Sequence, residues 1–143
     1  MTSSWYEPQG SYEERRRAFL AYAATSPGGR GRTGFFSQIA RMALDRGPLD
    51  AESIRDALAF VDARHDCSDF TVAGLLRILY QFGANPLLTA DLRGAIQRTL
   101  LGFKYWIDEP GRELMCFWSE NHQITDYAIS GEQRLDRQEF APQ

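Results

Sequence analysis

The stretch Ser68-Asp69-Phe70-Thr71-Val72-Ala73-Gly74-Leu75-Leu76-Arg77-Ile78-Leu79-Tyr80-Gln81-Phe82 decides the fold, because its apolar residues cover most of a helical circumference. A helix without a broad solvated face has to be enclosed by neighbours. Short polar side chains stand at its start, and Asp66, Ser68 and Asp69 are expected to cap it by accepting free amide hydrogens. Gly83-Ala84-Asn85-Pro86 ends it, since the proline has no amide hydrogen to continue the ladder.

On either side of this helix the pattern changes to narrower stripes. Ile54, Leu58 and Val61 recur at three- and four-residue steps after Asp50, with Glu52, Arg55, Asp56 and Asp62 left for water. Leu92, Ile96, Leu100 and Phe103 do the same after a cap at Thr89. Phe35, Ile39 and Met42 mark an earlier helix over about 35–45, stopped by Gly47-Pro48. The first helix starts at Ser11, where Glu13 and Glu14 suit the positive helix end, and presents Phe19, Leu20 and Ala23 on one side to about Ala24. Leu114, Met115, Phe117 and Trp118 open a sixth, densely apolar element. Strand-like alternation and hairpin turns are scarce, so the fold is all-α, and the alternation of half-exposed with enclosed helices is that of stacked helical hairpins. The expected organisation is an N-terminal segment over 1–10, a helical domain over 11–128 and a polar, disordered tail over 129–143.

Length and charge narrow the function. A chain of 143 residues with 43% hydrophobic content supports one ordinary core. Its net charge of −3 is spread among mixed signs, which argues against binding nucleic acid or an anionic membrane through bulk electrostatics. No apolar run approaches the roughly 18 residues of a membrane span, and the first residues lack a secretory signal's basic and apolar regions. A cytoplasmic location is expected. Cys67 and Cys116 lie far apart without metal-ligand spacing and read as buried thiols, with a disulfide as the alternative.

Chemistry concentrates near the C-terminal end. Lys104-Tyr105-Trp106-Ile107-Asp108-Glu109-Pro110-Gly111 is followed by Phe117-Trp118-Ser119-Glu120-Asn121-His122-Gln123-Ile124, which sets an acid, a carboxamide and an imidazole beside an apolar segment. With Asp66-Cys67-Ser68-Asp69-Phe70, these motifs resemble the N-terminal part of (α/α) toroid proteins of the glycoside hydrolase and polysaccharide lyase type, over about residues 30–125. The resemblance implies an inner ring of helices wrapped by an outer one, with a polysaccharide or oligosaccharide across the open end. It also implies that this chain corresponds to the opening part alone, weakly active or inactive by itself.

In several toroid lyases an adjacent Asn-His pair serves the site, and Asn121-His122 matches it. By that resemblance Asn121 would neutralise a uronate carboxylate and His122 would remove the neighbouring proton, with Glu120 in the same cluster. Trp118 and Trp106 would stack on sugar faces. Arg30 and Arg32, in the glycine-rich segment 26–34, would meet an anionic group. No cofactor is expected. No metal is expected either: His65, Asp66 and Asp69 could gather beside His122, but no two histidines share the i, i+4 spacing of a helical zinc pair.

The competing reading makes His122 a structural residue whose ring is satisfied by Asp126, four residues on. For the whole chain the alternative is a non-enzymatic interaction module that binds a partner or a second copy of itself through Phe117 and Trp118.

Overall fold

In a computed structural model, residues 10–26, 31–105, 110 and 120–139 are described, the last segment with side chains only for 121–130. Six helices follow one another: α1 (Tyr12–Thr25), α2 (Phe36–Ala43), α3 (Ala51–Asp62), α4 (Ser68–Phe82), α5 (Ala90–Gly102) and α6 (Glu120–Glu139), with a 3-10 turn at Gly31–Thr33. Among the described residues there is no strand, and the chain is all-α.

The helix starts follow their local chemistry. Ser11 accepts from the Glu14 amide while the Glu14 carboxylate accepts from the Ser11 amide, a reciprocal box that closes the first turn of α1. Asp50 receives the amides of Glu52 and Ser53 at the start of α3, and Thr89 receives that of Leu92 at the start of α5. The start of α4 departs from expectation. Its N-cap is Cys67, held at φ 67° with no side-chain capping bond; Ser68 donates instead to His65 and Phe60 carbonyls, and Asp69 is fully buried.

Packing arranges the helices in two layers. The helix α4 touches α2, α3, α5 and α6, and α3 also packs directly on α5. Contacts between helices two apart are what stacked hairpins produce, with α2, α4 and α6 in one layer and α3 and α5 in the other. The central position of α4 buries Val72, Leu75, Leu76 and Ile78, but the enclosure expected over most of its circumference is not met: Phe70, Arg77, Tyr80 and Gln81 form a stripe that its neighbours leave exposed. The stripes of α3 and α5 meet them with Ile54, Ala57, Leu58, Val61, Leu92, Ile96 and Leu100, joined by Phe35, Phe103 and Tyr105. Buried polar groups tie the layers together: Gln38 donates to Ser37 and accepts from the Asp50 amide, fixing α2 to the start of α3.

Two expectations change in outline. The first helix keeps only Ala24 buried, and Phe19 of its apolar side is 68% exposed, because α1 packs mainly on the short α2. The last helix continues through Glu139, past the start of the expected tail at 129. Ile129 and Ser130 are buried and anchor it, and the following Glu, Gln, Arg and Leu residues are good helix formers once a helix is nucleated. Among the described residues, no helix is long and apolar enough to cross a membrane.

Candidate functional site

The pairing of α4 with α6 brings the first turns of these two helices side by side. Asp69 lies in the first turn of α4 and His122 in that of α6, and their side chains meet at 2.8 Å between Oδ2 and Nδ1. A carboxylate only accepts, so Nδ1 carries the proton and donates it. The acid is completely buried and the imidazole is 6% exposed. Two positive helix ends converge there and favour the carboxylate charge. Phe70 covers the imidazole from one side, with ring centroids 5.1 Å apart.

The other ring nitrogen faces different groups. Nε2 lies 3.9 Å from Oδ1 of Asp66, whose side chain is 64% exposed. Ligand atoms of Asp66, Cys67 and His122 all fall within 4.8 Å of one another. Cys67 is a half-buried free thiol, less enclosed than expected. The αL backbone of Cys67 places Asp66 and Cys67 at the mouth of the cluster and Asp69 behind it. With Nδ1 held by Asp69, the imidazole can offer an Nε2 lone pair toward the open side, to a proton or to a Lewis acid.

Asp126 closes the buried side of the cluster. The i, i+4 spacing predicts it as the partner of His122, but Asp69 takes the imidazole instead, and both Asp126 oxygens are buried with no hydrogen-bond partner among the described residues. A residue four along the same helix shares a face with His122, but the neighbouring helix supplies the better aligned acceptor. Burial, reinforced by the Asp69 charge and opposed by His122, pushes the Asp126 carboxyl from its ordinary 3.8 up to about 7. The folded chain therefore retains a proton that the unfolded chain releases from about pH 4 upward. The stability this proton supplies is complete below about pH 4 and is lost as pH rises toward 7. Asp126→Asn removes that dependence. In chelated buffer it is expected to stabilise the chain by about 2 kcal/mol at pH 8 and to change little at pH 4, as read from urea unfolding at both values.

The remaining expected site residues divide. Asn121 is exposed at the start of α6, and Thr125 donates to its backbone carbonyl at 2.7 Å. Arg32 is exposed and lines a shallow cleft of about 280 Å³ with Thr33, Phe36, Cys67, Phe70 and Thr71, so it does lie beside the α4 end. Arg30, Trp106, Phe117, Trp118 and Cys116 lie outside the described residues, as does the side chain of Glu120. His65 is exposed and rests against Phe60 rather than joining His122.

Asp69 and Cys67 are the residues whose roles sequence reading missed. One signal was present: an acid on the most enclosed helix of a chain needs a buried partner, and His122 stood beside the other densely apolar segment. No protein family, curated protein or solved structure matches the chain.

Proposed function

We propose that this chain is a helical-hairpin domain of the kind that opens (α/α) toroid carbohydrate-active proteins, and that it presents His122 to an anionic sugar at the shared end of α4 and α6. The observation that carries this reading is the placement of the cluster. Asp66, Cys67, Asp69 and His122 gather at the first turns of α4 and α6 instead of in mid-helix. Asp69 orients the ring, Nε2 is the group that would act on a substrate proton, and Arg32 across the adjoining cleft supplies a positive charge for a uronate carboxylate. Asn121 belongs to the same rim.

The reading is tested by binding, which does not depend on turnover. The test is a titration with uronate oligosaccharides followed by amide chemical shifts. Perturbations centred on Arg32, Asn121 and His122 support the reading; shifts confined to other surfaces, or none at millimolar ligand, contradict it.

One observation favours a second reading, that of an interaction module. A cleft of about 510 Å³ between α1, α2 and α4 is lined by Phe19, Phe36 and Phe70, which are 68%, 59% and 44% exposed. Solvent-facing aromatic side chains grouped in this way commonly mark a partner surface. Sedimentation at two concentrations separates the readings: self-association that Phe36→Asp abolishes supports the module, and a monomer at both concentrations argues against a second copy in this cleft.

A further inference from the structure

The chemistry of the atoms around Nε2 describes a metal site. A carboxylate oxygen, a thiol sulfur and an imidazole nitrogen lie within 4.8 Å of one another at Asp66, Cys67 and His122. Bonds of about 2.0–2.3 Å in a tetrahedron separate ligand atoms by about 3.5 Å, so roughly an ångström of closure is needed. The exposed Asp66 side chain and the half-buried Cys67 can supply it by rotation, whereas His122 is already fixed.

Two independent features of the surroundings support a cation. First, the bond from His122 Nδ1 to Asp69 at 2.8 Å is the outer-shell contact that metal-bound imidazoles ordinarily make, and it leaves Nε2 as the coordinating atom. Second, negative groups are in excess. Asp66 and Asp69 flank one imidazole, and Oδ1 of Asp69 is buried without a hydrogen-bond partner among the described residues. A divalent ion on the open side of the ring offsets that charge.

We infer that Asp66, Cys67 and His122 bind one zinc ion, with Asp69 as the positioning residue for His122; among the described residues no fourth side chain joins them. The mixed sulfur, nitrogen and oxygen set selects zinc over magnesium or calcium, which take oxygen ligands. The sequence offered no such pattern because the three ligands come from a loop and a helix start more than fifty positions apart. The inference rests on the reading of this helix end as the functional site, but not on a sugar substrate. Zinc and a proton compete for the same Nε2 lone pair, so the base role of His122 belongs to the metal-free chain.

The experiment uses the full chain, stripped with a chelator and titrated with zinc alone by calorimetry, then with cobalt(II) alone in the spectrophotometer. One zinc per chain is expected, and cobalt is expected to give a thiolate charge-transfer band with the strong visible absorption of a four-coordinate ion. Cys67→Ser should abolish the charge-transfer band and weaken zinc at least tenfold. Asp69→Asn should weaken zinc by about ten- to a hundredfold and retain the charge-transfer band, a split that mere loss of structure would not give. Asp66→Asn, at an exposed position, tests the third ligand without disturbing the core. The inference is overturned if zinc fails to bind stoichiometrically, or if it binds Cys67→Ser as tightly as the parent chain. Because sugar is absent throughout, failure here leaves the carbohydrate reading standing, and success does not depend on it.

Discussion

His122→Ala is expected to destabilise the folded chain by about 3–4 kcal/mol, measured as a lower urea midpoint at unchanged slope. The cost does not come mainly from the lost contact. Asp69 is fully buried and its other oxygen already lacks a partner among the described residues, so removing the imidazole leaves a carboxylate with neither solvent nor a donor at Oδ2. Asp126, buried nearby, gains nothing from the change, since the imidazole is the one group that lowers its pKa. Net stabilities of single domains are about 5–15 kcal/mol, so a loss of this size removes a substantial share of the total. A second substitution distinguishes this cause from simple cavity formation. If the stranded carboxylate is responsible, His122→Ala combined with Asp69→Leu should recover much of the loss; if a void is responsible, the double variant should be no better than the single one.

Gly74→Ala should also destabilise, against the usual rule for helices. In a solvated helix interior alanine is better than glycine by about 1 kcal/mol. Here a Cβ at position 74 would fall 2.1 Å from Cε2 and 2.2 Å from Cζ of Phe35. Phe35 is itself 1% exposed, so its ring can move only by disturbing the core residues packed on it. Overpacking of this kind costs about 1–3 kcal/mol after the neighbours adjust, and it outweighs the helix preference. A loss near 2 kcal/mol corresponds to a fall in Tm of roughly 6 °C for a chain of this size. The contrasting substitution is Gly94→Ala in α5, where the nearest atom is the mobile Arg98 guanidinium at 3.4 Å. That variant should gain about 0.5–1 kcal/mol. Opposite signs at two helical glycines would establish that α2 and α4 approach through Gly74. Equal gains at both would mean that Phe35 does not occupy that position.

The same physics explains which parts of the chain could be read from its residues. Helix starts at Ser11, Asp50 and Thr89 were legible because capping is local: the donor amides lie two or three positions from the acceptor. The core-facing side of α4 was legible from Val72, Leu75, Leu76 and Ile78, but its enclosure on most sides was not, since Phe70, Arg77, Tyr80 and Gln81 face solvent. His122 stood out by its chemistry, but its partner did not. The spacing to Asp126 is visible along one helix, whereas the contact to Asp69 spans 53 positions and exists only once α4 and α6 are neighbours. Asp69 accordingly read as a cap, and Cys67 as a structural thiol. The apolar side expected for α1 faces water at Phe19 for a related reason: periodicity identifies a face, but the neighbouring helices determine whether it is covered.

The account depends on Asp69 holding His122 so that Nε2 is turned toward Asp66 and Cys67, and imidazole nitrogen NMR tests this directly. The chain has only two histidines, so assignment needs a single His65→Gln variant. The account predicts a proton on Nδ1 of His122, slowed in exchange and lost from the spectrum in Asp69→Asn, with Nε2 free to take the next proton or a metal. A His122 ring protonated on Nε2 with a bare Nδ1, unaffected by Asp69→Asn, would contradict it.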